Sequence, residues 1–203
     1  VVLASIYLGV FNLKPTDNGT LGVFNPKNGT YFVGGQMVTL KDGVSEVEAA
    51  PGSASKIVTR YFGNEVEHDL DGDGREDVVF LVTQETGGTG IFYYVVAALN
   101  TASGLVGTQG LLLGDRIAPQ TTEMNREAGK GTVVVVNYAE RTPGESFAVP
   151  PSIGKSIWLK LDTQTMQFGE VVQNFEGEAD PARMTLSMNE WKWISTTYNN
   201  DTQ

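Results

Sequence analysis

The chain has 203 residues, a formal net charge of −10, no cysteine and a single histidine, His68. That charge opposes nucleic-acid binding, which needs Lys and Arg against phosphate, and it opposes docking on an anionic membrane surface. The missing thiols exclude disulfides, thiol catalysis and thiolate zinc sites, and one imidazole excludes a two-histidine metal centre.

Taken in chain order, residues 1–24 open with VVLASIYLGVF, an apolar run of eleven residues without charge. It is shorter than the roughly 20 residues that a bilayer span requires. It reads as the outer end of an N-terminal membrane anchor or signal segment, or as a buried first strand. The Asn-, Gly- and Pro-rich stretch 12–30 reads as linker and loops, and Asn-Gly at 18–19 and 28–29 as turns rather than glycosylation sites.

Residues 25–175 are expected to form one β domain. Gly34-Gly35 and Asp42-Gly43 are hairpin signals, Pro51-Gly52-Ser53 is a turn, and KIVTRYFG is a strand. DVVFLVTQ and IFYYVVAALN flank ETGGTG, and two nearly continuous apolar strands of this kind predict a central hairpin buried on both faces. GLVGTQGLLLGDR reads as one further strand and GTVVVVNYAER as the next. RTPGESFAVPPSIG is a Pro-rich loop, and KSIWLKLDTQTMQFGEVV is a hairpin turning at 162–165. The expected fold class is mainly β, with antiparallel sheets in a sandwich or a strongly curved sheet, and few or no long helices. Residues 176–203 change character. Asp180-Pro181 resembles a helix cap, yet Met184, Leu186, Met188, Trp191 and Trp193 alternate with polar residues as in a strand. This segment reads as a linker and the start of a truncated second module.

HDLDGDGREDVVFLV, residues 68–82, crowds Asp69, Asp71, Asp73 and Asp77 into nine positions ahead of an apolar strand. Two unit charges about 4 Å apart repel by roughly 4 kcal/mol near a protein surface, so something must offset the crowding. Numbered from Asp69, carboxylates fall at positions one, three, five and nine, Gly74 supplies the sharp turn at six, and Arg75 offers its backbone carbonyl at seven. That oxygen set predicts Ca2+ held by Asp69, Asp71, Asp73, Arg75 and Asp77, with Asp77 closing the shell; Mg2+ fits less well because it retains its waters. The loop is not an EF-hand, since position twelve is Phe80 and a strand follows. His68 reads as an ordinary strand-end residue, imidazole being a poor calcium ligand.

The Asp-x-Asp-x-Asp-Gly-x-x-Asp spacing at Asp69, Asp71, Asp73, Gly74 and Asp77 resembles the calcium loops of FG-GAP propeller repeats and of dockerins. One copy does not make a propeller. Over roughly 28–140, the series DLDGDGREDVVFLV, GGTGIFYYVVAALN and LLLGDR is similar to uncharacterised exported bacterial proteins. Members of that group often carry Gly-Asp-Leu-Asn where this chain has His68-Asp69-Leu70-Asp71, a change that adds a charge. The tail LSMNEWKWISTTYNND resembles the opening strand of the META domain through Trp191 and Trp193. Neither resemblance implies a catalytic residue.

Other segments carry less chemistry. SASK at 53–56 matches Ser-x-x-Lys but enters a β-branched run and has no companion Lys-Thr-Gly. GGTG at 87–90 has no helix after it and reads as a turn. Asp115 and Arg116 read as an ion pair, with a role for Arg116 around the aspartate loop as the alternative. Phe92, Tyr93, Tyr94, Trp158, Trp191 and Trp193 read as core more than as a sugar-stacking face.

These features imply a non-catalytic calcium-binding module at the cell envelope or outside the cell, tethered by an N-terminal membrane segment. Its expected partner is a protein or glycan at the cell surface. Two other readings are an envelope-polymer hydrolase and an assembly subunit that donates VVLASIYLGVF to a neighbour's sheet.

Overall fold

The computed structural model describes residues 24–127 and 131–171. All of them belong to the first of two compact units, Val1–Val171 and Val172–Gln203. The apolar run 1–11 and the tail with Trp191 and Trp193 lie outside the described residues.

The described chain is built from antiparallel strands, preceded by one 3-10 turn at Pro26–Asn28 that Asn25 caps through its side chain. A first hairpin pairs β1 (Thr30–Val33) with β2 (Gln36–Thr39) around Gly34 and Gly35, both in the left-handed region at φ of 60° and 84°. A six-stranded sheet contains β3 (Val44–Glu48), β4 (Lys56–His68), β5 (Asp77–Glu85), β6 (Phe92–Thr101) and β7 (Gly104–Gly107) in that order, with β8 (Leu111–Asp115) also paired to β6. A four-stranded sheet runs from β9 (Ala118–Glu127) through β10 (Gly131–Glu140) and β11 (Ile153–Asp162) to β12 (Gln167–Glu170). The sheets are not closed into a barrel, and the mainly β expectation holds.

β5 and β6 sit in the middle of the six-stranded sheet, and their side chains feed two cores. Residues alternate across a strand, so directly opposed pairs share a face. Val79, Leu81, Val95 and Ala97 pack with Val134, Val136, Tyr138, Leu159 and Phe168 of the four-stranded sheet. Val78, Phe80, Val82, Tyr94, Val96 and Ala98 face the other way and pack with Tyr31, Val33, Val38 and Leu40 around the first hairpin. The result is three layers, with Phe80 fully buried between the rings of Tyr31 (5.4 Å, edge-on) and Tyr61 (4.9 Å). Continuous apolar runs in β5 and β6 follow from this double burial.

The segment read as one strand at 104–116 is two. β7 and β8 both pair with β6, and the chain between them kinks at Thr108, which is buried. Thr108 bonds Ala97 twice: its N–H donates to the Ala97 carbonyl (3.0 Å) and its Oγ1 accepts from the Ala97 amide (2.8 Å). Its own carbonyl accepts from Phe32 of β1 (3.1 Å), so the kink joins the first hairpin to the central sheet. β4 is also irregular. Between the pairs Tyr61↔Val82 and Val66↔Val79 it uses two more residues than β5, accommodated by Gly63 and Asn64 at positive φ.

Gly107 lies where the hairpin crosses this kink, and a Cβ there would stand 2.0 Å from the Thr30 carbonyl oxygen. Backbone on both sides leaves little room to relax. Gly107→Ala is therefore expected to destabilise the fold by about 1–3 kcal/mol in urea denaturation. Gly88→Ala, where an added Cβ meets nothing within 4 Å, should change stability by less than about 0.5 kcal/mol.

Candidate metal centre

The aspartate loop is the connection between β4 and β5. β4 ends at His68, which pairs directly with Asp77, the first residue of β5, and residues 69–76 bridge them. The loop turns through Gly72 and Gly74, at φ of 82° and 86°. A Cβ at either would meet nothing within 4 Å, so backbone conformation rather than space requires glycine there.

Asp69 organises the turn. Its Oδ1 accepts from the amides of Gly72 (2.7 Å) and Asp73 (3.2 Å), and its Oδ2 from that of Gly74 (2.9 Å). The Gly74 bond leads in holding this carboxyl below its ordinary range, and the Gly72 and Asp73 amides add to it. Asp71 is exposed and accepts from the Asp73 amide at 3.1 Å. Asp77 is different: it is fully buried. Its Oδ2 accepts from the Leu70 amide and its Oδ1 from the Asn100 amide at the end of β6, each at 2.8 Å. Burial pushes its pKa up, with the nearby charges of Asp71 and Asp69 adding to the effect while the two amides oppose it.

One carboxylate oxygen from each of Asp69, Asp71 and Asp77 lies within 4.8 Å of the others, a spacing at which three carboxylates can hold a metal ion. Ligands on opposite sides of calcium stand about 4.6–5.2 Å apart, twice its bond length. Each carboxylate offers about four lone-pair sites, so oxygens already bonded to amides retain capacity for a cation. Asp73 is not drawn into this group. Its Oδ1 accepts from the Arg75 amide (2.9 Å) and its Oδ2 from the Arg75 guanidinium (2.6 Å). The Arg75 Nε donates to the Asn100 carbonyl at 2.7 Å. Phe80, at the twelfth position, is in the core.

Two contributors carry no signal in the sequence. The amides of Leu70 and Asn100 are anonymous backbone groups, and Asn100 reaches the loop only through the register of β5 against β6. A cleft of about 310 Å³ also opens beside the loop, with Asp69 and Asp71 on one side and Thr132 and Lys160 on the other, floored by Val134 and Leu159.

The remaining candidates among the described residues make contacts within the fold. Asp115 pairs with Arg116 (Nη2 to Oδ2, 2.6 Å) and accepts from the Ile91 amide in the β5–β6 turn, while the Arg116 guanidinium lies 3.3 Å from the centroid of the Phe147 ring. Lys56 of SASK begins a strand, and GGTG is the turn between β5 and β6. Tyr94 is buried, Phe92 and Tyr93 pack against the two cores, and Trp158 is half-buried opposite Val135.

Two outcomes follow from these environments. In chelator, Asp77→Ala leaves two amides without acceptors and is expected to cost about 2–4 kcal/mol, against less than about 0.5 kcal/mol for Asp71→Ala, measured by chemical denaturation. For Asp115, the Arg116 hydrogen bond, then the Ile91 amide, depress the folded pKa. Its contribution is therefore present above the ordinary carboxylate range and is lost as pH falls through the depressed value. Wild type should exceed Asp115→Asn by about 1 kcal/mol near neutrality, with the gap closing as pH falls through the depressed value.

No family model, no curated protein and no solved structure matches this chain.

Proposed function

We propose that the protein is a non-catalytic calcium-binding module of the cell envelope or cell surface, whose β domain presents a face to a protein or glycan partner. The observation that carries this reading is the convergence of Asp69, Asp71 and Asp77 within 4.8 Å at the head of the buried strand β5. All the donors are hard oxygens, the set that calcium prefers and that a softer metal does not. Burial and two neighbouring carboxylates disfavour an ionised Asp77. A divalent cation among the three reverses that repulsion, which gives calcium a structural role: it fixes the turn that feeds the central hairpin.

In this reading the three carboxylates, the Arg75 carbonyl and water complete the shell, and Asp73 stays with Arg75. The cleft beside the loop is lined by Asp69, Asp71, Thr132 and Lys160, so in this reading a partner's polar groups would meet the metal and these residues together. The acidic surface suits an environment rich in divalent cations.

Titration calorimetry tests the reading. Extracellular modules bind calcium with Kd of about 10⁻⁴–10⁻³ M, and a tenfold excess over Kd stabilises by about 1.4 kcal/mol. Melting in calcium should then exceed melting in chelator by about 3–6 °C. Absence of binding heat together with coincident melts overturns the proposal, as does turnover of an ester, peptide or glycoside that one carboxylate substitution abolishes.

A further inference from the structure

We infer that Arg75 is the resident cation of the aspartate loop, a side chain that keeps the loop folded before any metal arrives. The guanidinium stands between two elements. Through Nη2 it bonds Asp73 in the loop (2.6 Å), and through Nε it bonds the carbonyl of Asn100 at the end of β6 (2.7 Å). Asn100 answers with its own amide, which donates to Asp77 Oδ1 at 2.8 Å. Asp73, Arg75, Asn100 and Asp77 therefore form a chain of contacts that runs from the loop into the central sheet and returns to the first residue of β5.

Two consequences follow from the chemistry. A planar fork with several fixed donors reaches a carboxylate and a carbonyl at once, whereas an ammonium is a single point charge, so lysine does not replace arginine here. The positive charge also offsets one of the four aspartates and engages the Asp73 carboxylate. An arriving metal then meets three carboxylates in a loop already shaped, rather than four in a loop that it must order.

This inference goes beyond the calcium reading and is tested without calcium, so the two fail separately. The measurement is amide hydrogen exchange in chelator, with the core amides of Leu81 and Val95 as the reference for the intact fold. In the wild-type protein the Leu70 and Asn100 amides should exchange slowly. Arg75→Gln should raise exchange at Asn100 by about tenfold or more while Leu81 and Val95 stay protected. Arg75→Lys should behave like Arg75→Gln. Rapid exchange of Leu70 and Asn100 in the wild type would show that metal alone folds the loop and would overturn the inference. So would an Arg75→Gln variant indistinguishable from wild type, or an Arg75→Lys variant with full protection.

Discussion

Burial of β5 and β6 on both faces is the constraint from which the rest of this fold follows. A strand with solvent on one side can alternate apolar and polar residues, but one packed from above and below cannot. Val78 through Val82 and Tyr94 through Leu99 are all buried, and each layer that covers them is fixed by what it must match. The first hairpin supplies Tyr31, Val33 and Val38 to one face. The four-stranded sheet supplies Val134, Val136 and Leu159 to the other. Two of the polar groups that enter this interior do so with partners: Thr108 bonds Ala97, and Gln84 donates to Thr59.

Asp77 is where this constraint meets the loop. It stands at the first position of a strand that is buried from Asp77 through Val82, and its carboxylate is tolerated because two backbone amides point at it. Those amides come from opposite directions, Leu70 within the loop and Asn100 from the neighbouring strand. The same carboxylate that makes the loop a candidate metal centre therefore also registers the loop against the sheet. Asp71, exposed and bonded only within the turn, has no such second role.

Much of this was legible in the residues. Double-sided burial showed in the unbroken apolar runs of β5 and β6, and the turn glycines marked Gly34-Gly35, Asp42-Gly43 and the aspartate loop. The kink at Thr108 was not legible, because GLVGTQGLLLGDR keeps a strand-like composition through it and the reason for the break is the approach of Phe32 from β1. At the site, the spacing drew attention to Asp69, Asp71 and Asp77, which the fold brings within 4.8 Å of one another. It did not show the contact of Asp73 with Arg75, because that contact depends on the guanidinium also reaching Asn100, a residue 25 positions away. The Asp115–Arg116 pair was visible as neighbours, but its stacking on Phe147 across a Pro-rich loop was not.

The three-layer arrangement also sets the order in which assembly is safe. The covering hairpin lies early in the chain, and it docks on strands that are made later. Until it does so, Val78, Phe80, Val82, Tyr94, Val96 and Ala98 form an open apolar strip on a ready-made sheet. Such a strip, rich in β-branched and aromatic residues and free of proline and charge, is the kind of surface on which chains stack edge to edge and face to face. The hairpin β1–β2 is thus a guard for the central sheet as well as a layer of it. A lesion in so small an element would appear less as lost secondary structure than as lost solubility.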